Sequence, residues 1–233
     1  TQASAGFVDS VTEWIVGAML ELSRGIGAAA ATYHAGAVPV ASMGRELRGA
    51  TLGIIGYGRI GRRLADVALA LGMHVIVADP AAEVTNPGLR KLPLAELLPQ
   101  ADYTVCLASA TPQTENLMDA AAFAAMPASA CFINASRGTL VDEAALLQAL
   151  DTGRIAGCAL DVGRAPDQMP SLQLARHPRV IATPHIGGLT LPAIEHQSME
   201  TVQQVTDIVH HRMPQGGVNA MHATRLRSFI EAQ

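Results

Sequence analysis

Thr51-Leu52-Gly53-Ile54-Ile55-Gly56-Tyr57-Gly58-Arg59-Ile60-Gly61-Arg62-Arg63-Leu64 is the run on which the fold turns. Thr51–Ile55 reads as a short buried strand and Ile60–Leu71 as a helix. Between them stand three glycines in a G-x-G-x-x-G pattern. Gly56 permits a tight turn, Gly58 lets the backbone approach a pyrophosphate, and Gly61 lets the helix pack close to the strand. The amides at the helix start face such phosphates, and the helix dipole favours their charge. A second strand, His74–Ala78, ends at Asp79, 18 residues beyond Gly61. A carboxylate there accepts from both hydroxyls of an adenosine ribose and repels a 2′-phosphate. Pro80 follows, and no arginine beside it could hold that phosphate. Strand, glycines, helix, strand and acid together read as a dinucleotide site for NAD rather than NADP.

Working outward, strand and helix alternate. Val11–Leu22 is spaced as a helix, with Asp9 or Ser10 as N-cap. Gly25–Gly44, rich in Ala and Gly, reads as a connector. Beyond Asp79 come a short helix at Leu94–Leu98, a strand at Tyr103–Leu107, a helix at Ala120–Ala125 and a strand at Ala130–Ile133. A helix at Asp142–Leu150 stops at Gly153. Strands Ile155–Leu160 and Val180–Ala182 and a long helix, Pro192–His210, complete the series. Such alternation forces parallel pairing through crossover helices, so the expected fold is α/β, a doubly wound parallel sheet with flanking helices. Ligands of such sheets bind at the carboxyl ends of the strands.

Composition agrees. The 233 residues are 49% hydrophobic, 15% charged and only 3% aromatic, which excludes a disordered chain and predicts an aliphatic interior of the kind parallel sheets use. A net charge of −4 argues against nucleic acid as a partner; Arg59, Arg62 and Arg63 read as a solvated face beside a phosphate site. The longest apolar run, Val67–Ala78, falls short of the ~20 residues a membrane span needs. Three cysteines, Cys106, Cys131 and Cys158, each lie in an apolar run and read as reduced, buried thiols, which places the protein in the cytoplasm. His210, His211 and His222 lack ligand spacing, so no metal is expected. A start at Thr1-Gln2, with helical spacing within about ten residues, reads as a fragment or processed chain.

The later strands carry polar residues at their ends. Arg137 follows one, and its guanidinium fork suits a carboxylate. Asp161 follows the next. Pro184-His185-Ile186-Gly187-Gly188 follows the last, and an imidazole can pass a proton near neutrality. Beside a nicotinamide, Arg137 would anchor a carboxylate and polarise a neighbouring carbonyl, and His185 would protonate the alkoxide formed by hydride addition: the chemistry of 2-keto acid reduction.

In order, Ser10-Val11-Thr12-Glu13-Trp14, the glycine run, Ile133-Asn134-Ala135-Ser136-Arg137-Gly138 with Val141-Asp142-Glu143, Ala159-Leu160-Asp161-Val162, and Thr183-Pro184-His185-Ile186-Gly187-Gly188 resemble the D-isomer-specific 2-hydroxyacid dehydrogenases. The likeness runs from about Val11 to Asn219. It implies a Rossmann-type NAD-binding domain, with Gly56, Gly58, Arg59, Ile60 and Gly61 at the pyrophosphate, Asp79 at the adenosine ribose and the Ala108 backbone at the adenine. It places Ala135, Ser136 and Arg137 at the nicotinamide ribose, Asp161 at the carboxamide, and His185 to Gly188 over the nicotinamide. Arg137 and His185 are the expected catalytic pair for a small D-2-hydroxy or 2-keto acid. The resemblance also implies a homodimer, built partly through the helix around Val11–Leu22.

Two departures stand out. The family's Glu, five residues after its Leu-Asp-Val aspartate and before a proline, is missing from Asp161-Val162-Gly163-Arg164-Ala165-Pro166-Asp167. Either Asp167 reaches His185 from a shifted loop or the imidazole works without a carboxylate, in which case the pH optimum for reduction should fall. The family's N-terminal substrate domain is also absent. The expected organisation is a linker helix and connector (1–45, the dimer and hinge side), the NAD-binding domain (46–213) and a tail (214–233) returning toward that substrate domain. Alone, the chain should fold and bind NAD but turn over poorly, or not at all. Rival readings are an NAD(H)-sensing module like the family's corepressors, and formate or phosphite dehydrogenase activity. The sequence does not name the acid.

Overall fold

The computed structural model describes residues 6–217 and, near the end, His222 and Thr224. The strands are β1 (Thr51–Ile55), β2 (His74–Ala78), β3 (Leu89–Lys91), β4 (Tyr103–Cys106), β5 (Cys131–Asn134), β6 (Gly157–Leu160) and β7 (Val180–Ala182). They form one seven-stranded sheet in the order β3-β2-β1-β4-β5-β6-β7, and every pairing is parallel. The order reverses between β1 and β4, the crevice where doubly wound sheets take their ligands. The register pairs Ile55 with Ala78 and Cys106, Cys106 with Asn134, Asn134 with Leu160, and Leu160 with Ala182. Six strands therefore stop at one level, and whatever follows each of them emerges along a single edge.

The helices are α1 (Val8–Arg24), α2 (Ile26–His34), α3 (Arg59–Ala70), α4 (Leu94–Leu97), α5 (Ala120–Ala125), α6 (Glu143–Asp151), α7 (Leu172–Ala175) and α8 (Leu191–Val209). Alternate residues of each strand face opposite layers. Leu52 and Ile54 pack with Ile15 and Met19 of α1 and with Leu64 and Ala68 of α3. Ile55 lies on the other face with Leu97, Phe123, Phe132 and Leu146. Phe123 and Phe132 meet edge to face, with ring centres 5.4 Å apart; otherwise this is the aliphatic interior that the composition called for.

Four expectations are corrected. The Gly25–Gly44 connector contains α2, a helix of alanines that buries no side chain and so leaves no apolar periodicity to read. Gly25, at φ 59°, ends α1 and opens α2. Neither Asp9 nor Ser10 caps α1: Phe7 holds the N-cap position without a side-chain hydrogen bond, Asp9 pairs with Arg63 at 2.7 Å, and Ser10 meets the Thr190 hydroxyl at 2.6 Å. β3 and α7, with three and four residues, are too short to show a period. Elsewhere boundaries move by one to three residues: α1 starts at Val8 and runs to Arg24, β5 runs to Asn134, β6 starts at Gly157 and α8 covers Leu191–Val209. The C-terminal tail lies largely outside the described residues.

At Gly53 of β1, an added Cβ would stand 2.6 Å from Leu97 Cδ2 and 2.9 Å from Ala101 Cβ. Overpacking of this kind costs about 1–3 kcal/mol. Gly53→Ala should therefore lower the melting temperature, by roughly 2–4 °C per kcal/mol for a chain of this size. Differential scanning calorimetry checks it, and an unchanged melting temperature would show that this layer has slack.

Candidate functional site

The glycine turn does what its spacing requires. Gly56 has φ 96°, and a Cβ there would lie 2.6 Å from the Ala108 amide nitrogen; only glycine combines that backbone with that proximity. A Cβ at Gly61 would collide with the Gly56 carbonyl oxygen. At Gly58 an added Cβ meets nothing within 4 Å, so the turn opens onto space. No side chain caps α3, and its first-turn amides point toward that opening.

Beside the turn lies a cleft of about 950 Å³, lined by Ile55, Ala78, Asp79, Leu94, Leu107, Ala108 and Thr111 among others. It sits at the ends of β1, β2 and β4, where the strand order reverses. Its apolar floor and single carboxylate match what a nucleoside presents: a flat apolar base and a pair of hydroxyls. Asp79 accepts from the Tyr57 amide at 2.7 Å through Oδ2, and from the Ala81 and Ala82 amides at 2.9 and 3.0 Å through Oδ1. Burial pushes its carboxyl up, but the Tyr57, Ala82 and Ala81 amides and the Lys91 ammonium outweigh that and hold it below the usual value. Asp79 is thus charged at neutral pH and keeps a lone pair on Oδ2 for a further donor. Lys91, which donates to the Ala82 carbonyl at 2.7 Å, is a cleft residue the sequence reading missed, because it lies on the short β3. The residues present fit a dinucleotide.

Along the same edge, β5 ends in buried Asn134. Its amide nitrogen donates to the Arg137 carbonyl at 3.0 Å, and its oxygen accepts from the Ser136 amide at 3.1 Å, which shapes the loop carrying Arg137. The Ser136 hydroxyl donates to the Ala108 carbonyl at 2.6 Å and ties that loop to the cleft. The Arg137 guanidinium is exposed and spends one N–H on the Ser136 carbonyl, at 2.7 Å.

Asp161 is placed differently from a simple ligand contact. It is 3% exposed. Its oxygens accept from the Thr183 hydroxyl at 2.6 Å and from the Ile186 and Gly187 amides at 2.8 and 2.7 Å. Its visible work is to hold the segment bearing His185. That residue is exposed, has φ 55°, and sets Nδ1 3.3 Å from the main-chain oxygen of Asp167. Non-glycine residues in this backbone region cost of order 1–3 kcal/mol each. Of the two alternatives for His185, Asp167 does reach it, but through its backbone carbonyl and not its carboxylate.

The remaining candidates are structural. Cys106, Cys131 and Cys158 are free and buried, and burial raises all three thiols, that of Cys106 to about 12. Arg62 stacks over the Tyr57 ring, 4.5 Å from its centre. Among the described residues no group of three or more His, Cys, Asp or Glu could hold a metal ion, and no helix is long and apolar enough to cross a membrane.

Comparison with known proteins agrees with this geometry. The family profile "D-isomer specific 2-hydroxyacid dehydrogenase, NAD binding domain" matches residues 16–187. D-3-phosphoglycerate dehydrogenase 2 of Saccharomyces cerevisiae is 38% identical over 224 residues, covering 90% of this chain and 48% of that protein. The chain spans about half the length of the curated relatives it matches. Among solved structures, the TT0316 protein of Thermus thermophilus superposes with a TM-score of 0.84 at 30% identity, covering 92% of this chain and 70% of that one. D-lactate dehydrogenase of Aquifex aeolicus, complexed with NAD and lactic acid, gives 0.81 at 29%, covering 88% and 68%.

Because the folded carboxyl of Asp79 titrates below its ordinary value, its contribution to stability is present above the unfolded pKa, about 3.9 for aspartate, and disappears as pH falls through the folded value. Asp79→Ala should lower the melting temperature at pH 7, with the gap to the parent narrowing below about pH 4. Thermal melts between about pH 7 and about pH 3.5 check this, and a gap independent of pH would refute it.

Proposed function

The chain belongs to the D-isomer specific 2-hydroxyacid dehydrogenases, and on that premise we propose that it is the cofactor-binding and proton-transferring part of an NAD-dependent oxidoreductase for small D-2-hydroxy acids and their 2-keto counterparts. One observation supports this most: the strand register brings the glycine turn, Asp79, Arg137 and His185 to one sheet edge. β5 and β7 are two strand spacings apart, about 10 Å, a span that a small carboxylic acid and two long side chains can bridge.

The roles follow from the donor sets. Gly56, Gly58, Arg59, Ile60 and Gly61 cradle the pyrophosphate, and Asp79 accepts from the adenosine ribose through Oδ2, which favours NAD over NADP. The Ala108 backbone borders the adenine, and Ala135 and Ser136 the nicotinamide ribose. Asp161 and Gly188 close that end, Asp161 chiefly by fixing the loop. When bound, NAD(H) supplies or accepts the hydride. Arg137 binds the carboxylate through its free N–H groups and polarises the adjacent carbonyl. His185 gives a proton to the product oxygen during reduction and takes it back during oxidation. Residues 46–213 are then the cofactor domain of a cytoplasmic enzyme, with residues 1–45 on its dimer side and the tail leading toward a substrate domain. D-3-phosphoglycerate, for which the 38%-identical relatives are named, heads the candidate acids.

A homodimer is part of the proposal, with its surface moved from α1 to the segment that follows α2. The apolar residues Val11, Ile15, Ala18 and Met19 of α1 are buried within the chain, whereas Val38, Val40 and Met43 after α2 are 81%, 93% and 100% exposed. Light scattering should find two copies per particle, and Val40→Asp with Met43→Asp should shift the mass to one; a monomeric parent would defeat the idea.

NADH should quench or enhance Trp14 fluorescence on titration, with NADPH binding at least roughly tenfold more weakly and Asp79→Ala narrowing that ratio. Equal affinity for the two cofactors would overturn the assignment of Asp79. In single-turnover mixing of a form that carries the substrate domain with NADH and a panel of 2-keto acids, Arg137→Ala and His185→Ala should each slow NADH loss, the latter by about 10²–10⁴-fold. In a form that carries the substrate domain, NADH binding with no oxidation by any acid in the panel would favour an NAD(H)-sensing module, and NADH formation from formate or phosphite would change the substrate class.

A further inference from the structure

We propose that the main-chain carbonyl of Asp167 sets the tautomer of His185, doing by backbone what a side-chain carboxylate would otherwise do. The inference rests on the proton-transfer role given to His185 above. A carbonyl oxygen only accepts, so at 3.3 Å from Nδ1 it selects the neutral imidazole that carries its proton on Nδ1. Nε2 is then the nitrogen that gains and loses the exchangeable proton. The imidazolium donates from Nε2 and returns to the same Nδ1–H form, with no rotation of the ring between half-reactions.

The turn that delivers this carbonyl is built for it. Pro166, Asp167, Gln168 and Met169 form a tight turn in which the Met169 amide donates to the Pro166 carbonyl at 3.3 Å. Asp167 and Gln168 are successive left-handed residues, at φ 58° and 59°, and neither is glycine. The base of the turn is closed by the Gly163 amide on the Gln168 carbonyl at 2.8 Å and by the Ala165 amide on the Met169 carbonyl at 3.1 Å. Arg164 fastens the base to the body of the domain: its guanidinium donates to Asn116 Oδ1 and to the Thr139 carbonyl, and its amide to Glu143. The Asp167 side chain is exposed and makes no hydrogen bond or ion pair among the described residues. From the other side, Asp161 holds Thr183, Ile186 and Gly187 around His185. Two anchored segments thus converge on one ring nitrogen, and left-handed backbone at Asp167, Gln168 and His185 is what lets them meet.

Asp167 is accordingly a positioning residue, and through its backbone alone. Long-range ¹H–¹⁵N correlation on the ¹⁵N-histidine-labelled 233-residue chain, assigned with His185→Asn, reads the tautomer directly. Free imidazole side chains favour the Nε2–H form, so a predominantly Nδ1–H His185 is the expected and distinctive signature. Asp167→Asn and Gln168→Gly, which tolerate φ > 0, should preserve it. Gln168→Val, whose β-branch opposes that backbone, should lower the Nδ1–H share while thermal melts show a folded domain. An Nε2–H His185 in the parent, or loss of the signature in Asp167→Asn, would overturn the inference, the latter by making the carboxylate the partner. NADH titration of the same samples keeps the two readings apart. Binding with the wrong tautomer defeats this inference alone, whereas absence of binding with the right tautomer defeats the cofactor assignment alone.

Discussion

Everything at the candidate site depends on the level at which the parallel strands end. Parallel pairing fixes the relative height of neighbouring strands through slanted, evenly spaced hydrogen bonds. Here Ile55, Ala78, Cys106, Asn134, Leu160 and Ala182 stand in one register. The next residue of each strand leaves the sheet at a common edge, which is why residues far apart in the chain meet. The apolar layers on both faces hold that register, since slipping a strand by one residue would send its side chains to the opposite layer. Core packing and site geometry are therefore one constraint.

That constraint explains which features the sequence disclosed. The glycine turn was legible because each glycine answers a backbone requirement written locally: positive φ at Gly56, contact with the Gly56 carbonyl at Gly61. Strands buried on both faces show as apolar runs, and all but β3 could be located. Asp79 was legible because a strand end fixes its place. α2 was not, since a helix with no buried side chain carries no periodic signal. β3 is held by backbone pairing with β2, which any residues can make, and Lys91 was lost with it.

The work of Asp161 and Asp167 was hidden for a different reason. Asp161 binds Thr183, Ile186 and Gly187 across 22 to 26 positions, a distance over which spacing says nothing without a fold. A search for the partner of His185 looks for a carboxylate in the sequence, whereas the atom that meets Nδ1 is a carbonyl oxygen, which every residue has. What betrays it is backbone conformation, and φ cannot be read from Pro-Asp-Gln-Met as it can be guessed at a glycine.

Support by a carbonyl and support by a carboxylate differ in their chemistry. Both accept from Nδ1–H and fix the same tautomer. A carboxylate adds a full negative charge that favours the imidazolium, while a carbonyl adds only a dipole. The exposed Asp167 carboxylate lies within the same turn, but water and salt screen it. A domain arranged in this way keeps the directional part of the device, which sets where the proton sits, and gives up most of the electrostatic part, which sets how tightly it is held. The exchange has a return. A carboxylate partner stops being a pure acceptor once acid protonates it, whereas a main-chain carbonyl accepts at every pH. Direction at Nδ1 therefore rests on backbone geometry alone, and a carbonyl goes on supplying it under acid conditions that would turn a carboxylic acid into a competing donor.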